Sequence, residues 1–146
     1  MIELKQSKEH EISKFSEMER LNGTSDFIIP YTIEKHCTEM HKPNIVYLSI
    51  YSKSILVGFI ILAVEDESEN VEFRRIVVES KNKGIGQVAV SEMERYCKDL
   101  LKRNRIWLDV FDDNKRGQHI YNKLGYKQFK TGEYNGKPLL YFAKKL

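Results

Sequence analysis

Apolar residues recur along this chain with two periods, and the switching between them lays out the elements in order. Ile2 to Lys5 alternates apolar and polar residues, the period of a half-buried strand. Ser7 then offers an N-cap for a helix whose Ile12, Phe15 and Met18 keep helical spacing. Gly23-Thr24-Ser25 and Pro30 interrupt the pattern on either side of an aperiodic apolar patch, Phe27-Ile28-Ile29. Thr32 caps a second short helix, with Ile33, His36, Cys37 and Met40 on one face and Glu34 and Glu39 on the other, and Pro43-Asn44 ends it.

Two long β-rich runs follow, Ile45 to Tyr51 and Ile55 to Glu65, and the short Ser52-Lys53-Ser54 between them predicts an antiparallel hairpin. A polar turn, Asp66 to Asn70, leads to a third strand, Val71 to Val78. The next helix carries Ile85, Ala89, Met93, Tyr96, Cys97, Leu100 and Leu101 in one stripe. Arg105 to Phe111 alternates again, and the helix before it predicts a parallel pairing with the Val71 strand in a βαβ unit. Asp112-Asp113-Asn114 opens a last helix through Ile120, Tyr121 and Leu124, which Gly125 closes in the manner of a left-handed cap. Tyr126 to Lys130 and Leu139 to Lys144 remain as strands around Asn135-Gly136, joined by a loop longer than the tight type. The pattern predicts one α/β domain over residues 1–146, a mixed, mostly antiparallel sheet flanked by helices in the order β-α-α-β-β-β-α-β-α-β-β.

Composition narrows the function classes. With 41% hydrophobic and 31% charged residues the chain is an ordinary globular protein, and at this length it buries roughly two thirds of its unfolded surface. The 24 basic and 21 acidic residues leave a net charge of +3, too balanced for a nucleic-acid-binding tail, and no exposed aromatic sheet motif argues for RNA. Cys37 and Cys97 have no paired spacing, and His36, His41 and His119 have no ligand spacing, so neither a disulfide nor a metal site is expected. No basic region leads into an apolar run after Met1, and the longest apolar run, Ile55 to Val64, is too short to span a bilayer. A cytoplasmic protein without a membrane partner is the expectation.

Candidate chemistry concentrates where the Val71 strand enters the central helix. Gly84 and Gly86 lack a Cβ and let the backbone approach a ligand closely. The unsatisfied N–H groups and partial positive charge of the helix start, with Lys81 and Lys83, favour a phosphate there. Neither nucleotide fingerprint is complete: Gly86 is followed by Gln87 and Val88 rather than Lys-Ser/Thr, and Ala89 stands where a third Gly belongs.

Two separated segments supply the missing context. Lys81-Asn82-Lys83-Gly84-Ile85-Gly86 resembles the Arg/Gln-x-x-Gly-x-Gly/Ala loop of the GNAT superfamily of N-acetyltransferases. The run from Asn114 to Tyr126 resembles that family's second motif, Asn-x-x-Ala-x-x-x-Tyr followed by Leu-Gly-Phe. Lys81 departs from the usual Arg or Gln and offers phosphate a point charge without a planar fork, while Gly117 replaces the usual Ala.

The resemblance implies acetyl transfer from acetyl-CoA to a primary amine, with a small-molecule acceptor favoured over a protein N-terminus. It places the pyrophosphate on Lys81, Asn82, Lys83, Gly84, Ile85, Gly86 and Gln87 and the pantetheine arm along Ile76, Val77 and Val78, one of whose N–H groups would polarise the thioester carbonyl. It sets Asn114 and Gly117 beside the arm and makes Tyr121 the acid that protonates the leaving sulfur. Glu72 lies beside the expected acetyl position and is the candidate base, against the ordinary alternative of pairing with an Arg of the same sheet. Glu34 and Glu39 would form an acidic mouth only if they were not simply solvated. Trp107 is expected to pack. By analogy with the family a homodimer is admitted. A non-catalytic acyl-CoA sensor would keep Gly84, Gly86 and Asn114 while tolerating loss of Tyr121, so the presence of that Tyr favours an enzyme.

Overall fold

The computed structural model describes residues 1–21, 28–80 and 84–146. Its strands are β1 (Ile2–Gln6), β2 (Ile45–Ser52), β3 (Ile55–Val64), β4 (Asn70–Val78), β5 (Arg105–Phe111), β6 (Lys127–Tyr134) and β7 (Lys137–Lys145). They form one seven-stranded sheet in the order β1-β2-β3-β4-β5-β7-β6. Four α-helices accompany it among the described residues: α1 (Ile12–Glu19), α2 (Ile33–Met40), α3 (Ile85–Asp99) and α4 (Lys115–Lys123). The order of strands and helices is the one expected from the sequence, and only the β4–β5 pairing is parallel.

Alternation along the strands builds a core on each face of the sheet. Leu48, Ile60, Leu62, Val71, Phe73, Ile106 and Leu108 point to the face covered by α3, where Ala89, Val90, Met93 and Cys97 meet them. Tyr47, Phe59, Ile61 and Val77 point to the other face and pack against Ile12, Phe15 and Met18 of α1. The stripe expected on α3 ends sooner than predicted. The helix stops at Asp99, and Leu100 falls on the turn beyond it, 69% exposed.

Three local expectations are corrected. Ser7 does not cap α1: its hydroxyl lies 2.7 Å from that of Ser49, and a 3-10 turn over Glu9–Glu11 precedes the helix. The buried Glu11 carboxylate accepts there from Lys8 N–H at 2.9 Å, from the Ser49 hydroxyl at 2.8 Å and from the Tyr51 hydroxyl. Second, β6 and β7 run up to Asn135-Gly136, with Tyr134 opposite Lys137, so the connection is a tight two-residue turn. Asn135 (φ 48°) and Gly136 (φ 83°) both take the left-handed conformation that such a turn requires. Third, Glu39 is buried and paired with Arg74 and Lys42, not solvated, while Glu34 is exposed. Trp107 packs beside Tyr141 and also donates its indole N–H to Glu65 at 2.6 Å.

The feature that makes a site is where β4 and β5 part. They pair only from Asn70–Arg105 to Glu72–Trp107 and then diverge, leaving the rest of β4 with a free edge. The other edge of β4 is held tightly by β3, whose Gly58 faces Val78 so closely that a Cβ there would stand 2.2 Å from the Val77 carbonyl oxygen. Gly58→Ala must push β4 toward the opening, and we expect a loss of about 1–3 kcal/mol, as for other overpacked sites. A lowered urea midpoint with an unchanged m-value would show it.

Candidate active site

The divergence of β4 and β5 opens a cavity of about 690 Å³. Glu72 to Ile76 and Val78 of β4 form one wall, Leu108 to Phe111 of β5 the other, and α3 and α4 close it from one face of the sheet. Of the residues singled out in the sequence, Glu72, Ile76, Val78, Gly84, Ile85, Gly86, Gln87, Asn114, Gly117 and Tyr121 all line it. Val77 does not: its side chain is buried on the opposite face, in the core with Phe15 and Phe59. Lys81, Asn82 and Lys83 lie outside the described residues.

Strand parity decides which main-chain groups face the opening. Glu79 N–H donates to the Val57 carbonyl at 2.8 Å, so the odd-numbered residues at this end of β4 turn their N–H and C=O toward β3. Those of Ile76 and Val78 therefore point to the free edge.

The start of α3 presents a second set of donors. Gly84 caps it in the left-handed conformation (φ 73°), and its carbonyl accepts the first helical bond from Val88 N–H at 3.2 Å. The N–H groups of Ile85, Gly86 and Gln87 precede that bond and have no acceptor within the helix. A Cβ on Gly84 would meet nothing within 4 Å, and one on Gly86 only Val78 Cγ2 at 3.9 Å, so both glycines face open space. An extended anionic ligand can approach both sets of donors.

On α4, Asn114 has a job of its own. Its Oδ1 accepts from Gly117 N–H at 2.9 Å and caps the helix. A Cβ at Gly117 would come within 2.7 Å of Asn114 Nδ2, which accounts for glycine at a position where the resembled motif has alanine. Two turns along, Tyr121 reaches the cavity half-buried, set edge-on to Phe73 (centroids 6.1 Å) and Tyr126 (5.9 Å). Burial, reinforced by the negative charge of Asp109, pushes its phenol up to about 12, so it holds its proton at neutral pH.

Carboxylates occupy the other side of the opening. Glu72 is paired within its own strand, its Oε1 accepting from Arg74 Nη2 at 2.9 Å and Nε at 3.3 Å. Asp109 of β5 was not singled out in the sequence, where it is one more polar position of an alternating strand. It lines the cavity, and its carboxyl is raised by burial and by the charge of Glu72, with Arg74 opposing.

A buried network fixes the wall made by Ile29 and Tyr31. The Glu19 carboxylate, fully buried, accepts from His36 Nε2–H at 2.8 Å and from Tyr31 N–H at 3.1 Å, and pairs with Arg75. Because a carboxylate only accepts, Nε2 of His36 carries a proton, and Nδ1 lies 2.7 Å from the Tyr47 hydroxyl. Arg75 in turn lies over the Tyr31 ring at 4.2 Å and donates to the Ile29 carbonyl at 2.8 Å.

This architecture, a sheet opened between two parallel strands with a helix N-terminus at the mouth, is that of an acyl-CoA-dependent acyltransferase. The sequence matches the model of the acetyltransferase (GNAT) family over residues 11–126, and the chain belongs to that family; its donor is acetyl-CoA. No curated protein sequence matches it significantly. Among solved structures, spermidine N-acetyltransferase from Vibrio cholerae in complex with CoA and spermine superposes with a TM-score of 0.84 at 16% identity, covering 99% of this chain and 95% of that one. The aminoglycoside acetyltransferase AAC(6')-Ib in complex with coenzyme A gives 0.82 at 14% identity, with 99% and 95% covered. A dodecameric form of the Vibrio cholerae enzyme gives 0.80 at 16% identity, with 99% and 93% covered. Among the described residues no helix is long and apolar enough to cross a membrane.

Proposed function

We propose that the chain moves the acetyl group of acetyl-CoA to a primary amine of a small molecule. The observation that carries this reading is the two-sided opening between β4 and β5, with Tyr121 on the α4 side and the Glu72 and Asp109 carboxylates across from it. Acetyl-CoA supplies an activated acyl carbon on a thiol leaving group. The chain's residues bind and orient it: the N–H groups of Ile85, Gly86 and Gln87 take the pyrophosphate, and Ile76 and Val78 bond the arm much as an added strand would. A main-chain N–H of Ile76 or Val78 stabilises the developing oxyanion. Asn114 and Gly117 flank the arm, and Tyr121 protonates the departing sulfur. A carboxylate on the opposite side, Glu72 or Asp109, meets the cationic amine and accepts its proton.

The small cavity and its acidic residues support a small cationic acceptor, in keeping with the polyamine and aminoglycoside enzymes that share the fold. Incubation with acetyl-CoA and separate panels of polyamines, aminoglycosides, amino acids and peptides, followed by mass spectrometry, tests this. Acetylated polyamine or aminoglycoside is the expected product; acetylation confined to peptide N-termini would overturn it. We extend the reading to a homodimer by analogy alone, and to the cytoplasm because Cys37 and Cys97 are both free thiols.

The donor half has its own test. Gly86→Val places a branched side chain in the space before α3, and we expect CoA affinity to fall tenfold or more, about 1.4 kcal/mol. Calorimetry on the folded variant checks it, and unchanged affinity would remove this helix start from the CoA site.

A further inference from the structure

We infer that Asp109, with Glu72 held beside it by Arg74, is the catalytic residue that takes the proton of the acceptor's ammonium group. The inference rests on the proposed N-acetyltransferase reading and chooses between its two carboxylates.

Register places both groups. Glu72 stands opposite Trp107 in the parallel pair and opposite Ala63 in the antiparallel one, so all three project to the face that α1 and α2 cover. Asp109, two residues beyond Trp107, projects to that same face. Tyr121 packs on Phe73, whose side chain belongs to the opposite face. An acyl carbon lodged between the parted strands would have a carboxylate on one side and a phenol on the other. That is the order needed when the nucleophile arrives from one side and the leaving group departs on the other.

The two carboxylates differ in what already occupies them. Glu72 gives one oxygen to two nitrogens of Arg74, whose guanidinium also reaches Glu39 at 3.4 Å. Asp109 accepts no hydrogen bond and forms no ion pair among the described residues, although it is open to the cavity. An arriving ammonium would displace nothing from Asp109 but would compete with Arg74 for Glu72. The groups that face Asp109 are Glu72 and Arg74 from β4, Tyr121 from α4 and, across the ladder, Tyr141 from β7. Enclosure by the cavity walls and the charge of Glu72 raise its carboxyl, with Arg74 opposing, which makes it a better base than an ordinary aspartate.

One ammonium N–H bond breaks and its proton joins the Asp109 carboxylate. The freed lone pair forms the C–N bond as the carbonyl pair moves to oxygen. When that pair returns, the C–S bond breaks, sulfur takes the Tyr121 proton, and the proton still in excess on nitrogen restores the phenol. Asp109 gives its proton to solvent, so one proton is released for each amide and thiol formed.

The test uses the whole protein, acetyl-CoA and the best acceptor from the polyamine and aminoglycoside panels. Asp109→Asn should lower kcat/KM by about 10²–10⁴, leave CoA affinity unchanged, and make the logarithm of kcat/KM climb with pH toward the amine's own pKa. Glu72→Gln should lose less, about tenfold at most, and keep the wild-type pH profile. A wild-type profile in Asp109→Asn, the climbing profile in Glu72→Gln instead, or a rise in KM alone for Asp109→Asn would each overturn the assignment. If the wild-type protein acetylates no amine, the N-acetyltransferase reading itself fails and Asp109 with it.

Discussion

Tyr121→Phe is expected to lower kcat by about 10²–10⁴, the usual worth of a positioned general acid, while CoA affinity stays within a few fold. The variant removes one hydroxyl and leaves the ring, so its packing on Phe73 and Tyr126 survives. Among the described residues the hydroxyl forms no hydrogen bond, so its removal leaves no partner unsatisfied. A thiolate departs more easily when it is protonated as the C–S bond breaks. A phenol held near 12 keeps its proton until that moment, when the growing negative charge on sulfur draws it away. Rapid-quench kinetics with saturating acceptor isolates this step from product release. A kcat within about threefold of wild type with chemistry rate-limiting would make Tyr121 a packing residue.

Glu19→Ala should produce the largest loss of stability, about 3–5 kcal/mol, because it breaks a buried ion pair from one side. Arg75, the His36 ring N–H and Tyr31 N–H all lose an acceptor, and His36 is fully buried with no access to water in its place. Such a loss is a large share of an ordinary domain's stability, about 5–15 kcal/mol. The same carboxylate governs acid sensitivity. Burial raises Glu19, but the hydrogen bond from His36 and the charge of Arg75 outweigh it and hold the folded group below its ordinary value. Glu11 is likewise held low by Tyr51, Lys8 N–H and Ser49 against burial. A carboxyl lowered in the folded state contributes stability that is fully present above its unfolded pKa and is lost as pH falls through the folded one. Denaturant midpoints should therefore drop below about pH 4.5 in the wild type, and the drop should be shallower in Glu19→Gln. Parallel curves for the two proteins would show that Glu19 contributes nothing to the acid transition.

These expectations differ in how far the sequence alone could reach them. The β4–α3–β5 unit was legible because Arg105–Phe111 alternates, a helical stripe precedes it, and Val71–Val78 is a short β-rich run after a polar turn. The glycines before α3 and the Asn114 to Tyr126 run were legible as local spacing. Choosing Ile76 and Val78 over Val77 was not, because it depends on the hydrogen bond from Glu79 N–H to Val57 that fixes the parity of the β3–β4 ladder. The tight turn at Asn135-Gly136 was missed because Gly132 and Glu133 read as loop residues, yet both are paired in β6. Glu19 and Arg75 are 56 positions apart, and no local pattern marks a pair that only the docking of α1 on β4 creates. Asp109 was hidden for the opposite reason: a polar residue between Leu108 and Val110 is what any half-exposed strand contains, and only the parting of β4 from β5 gives it a cavity to face.

The central claim is that this opening catalyses transfer rather than merely holding acetyl-CoA. Thiol release from acetyl-CoA, followed with and without an amine acceptor in the wild type and in Tyr121→Phe, tests it most directly. Release should depend on the amine, saturate with it and nearly vanish in Tyr121→Phe. Tight binding of acetyl-CoA with no amine-dependent release of thiol, for every amine of the panels, would contradict it.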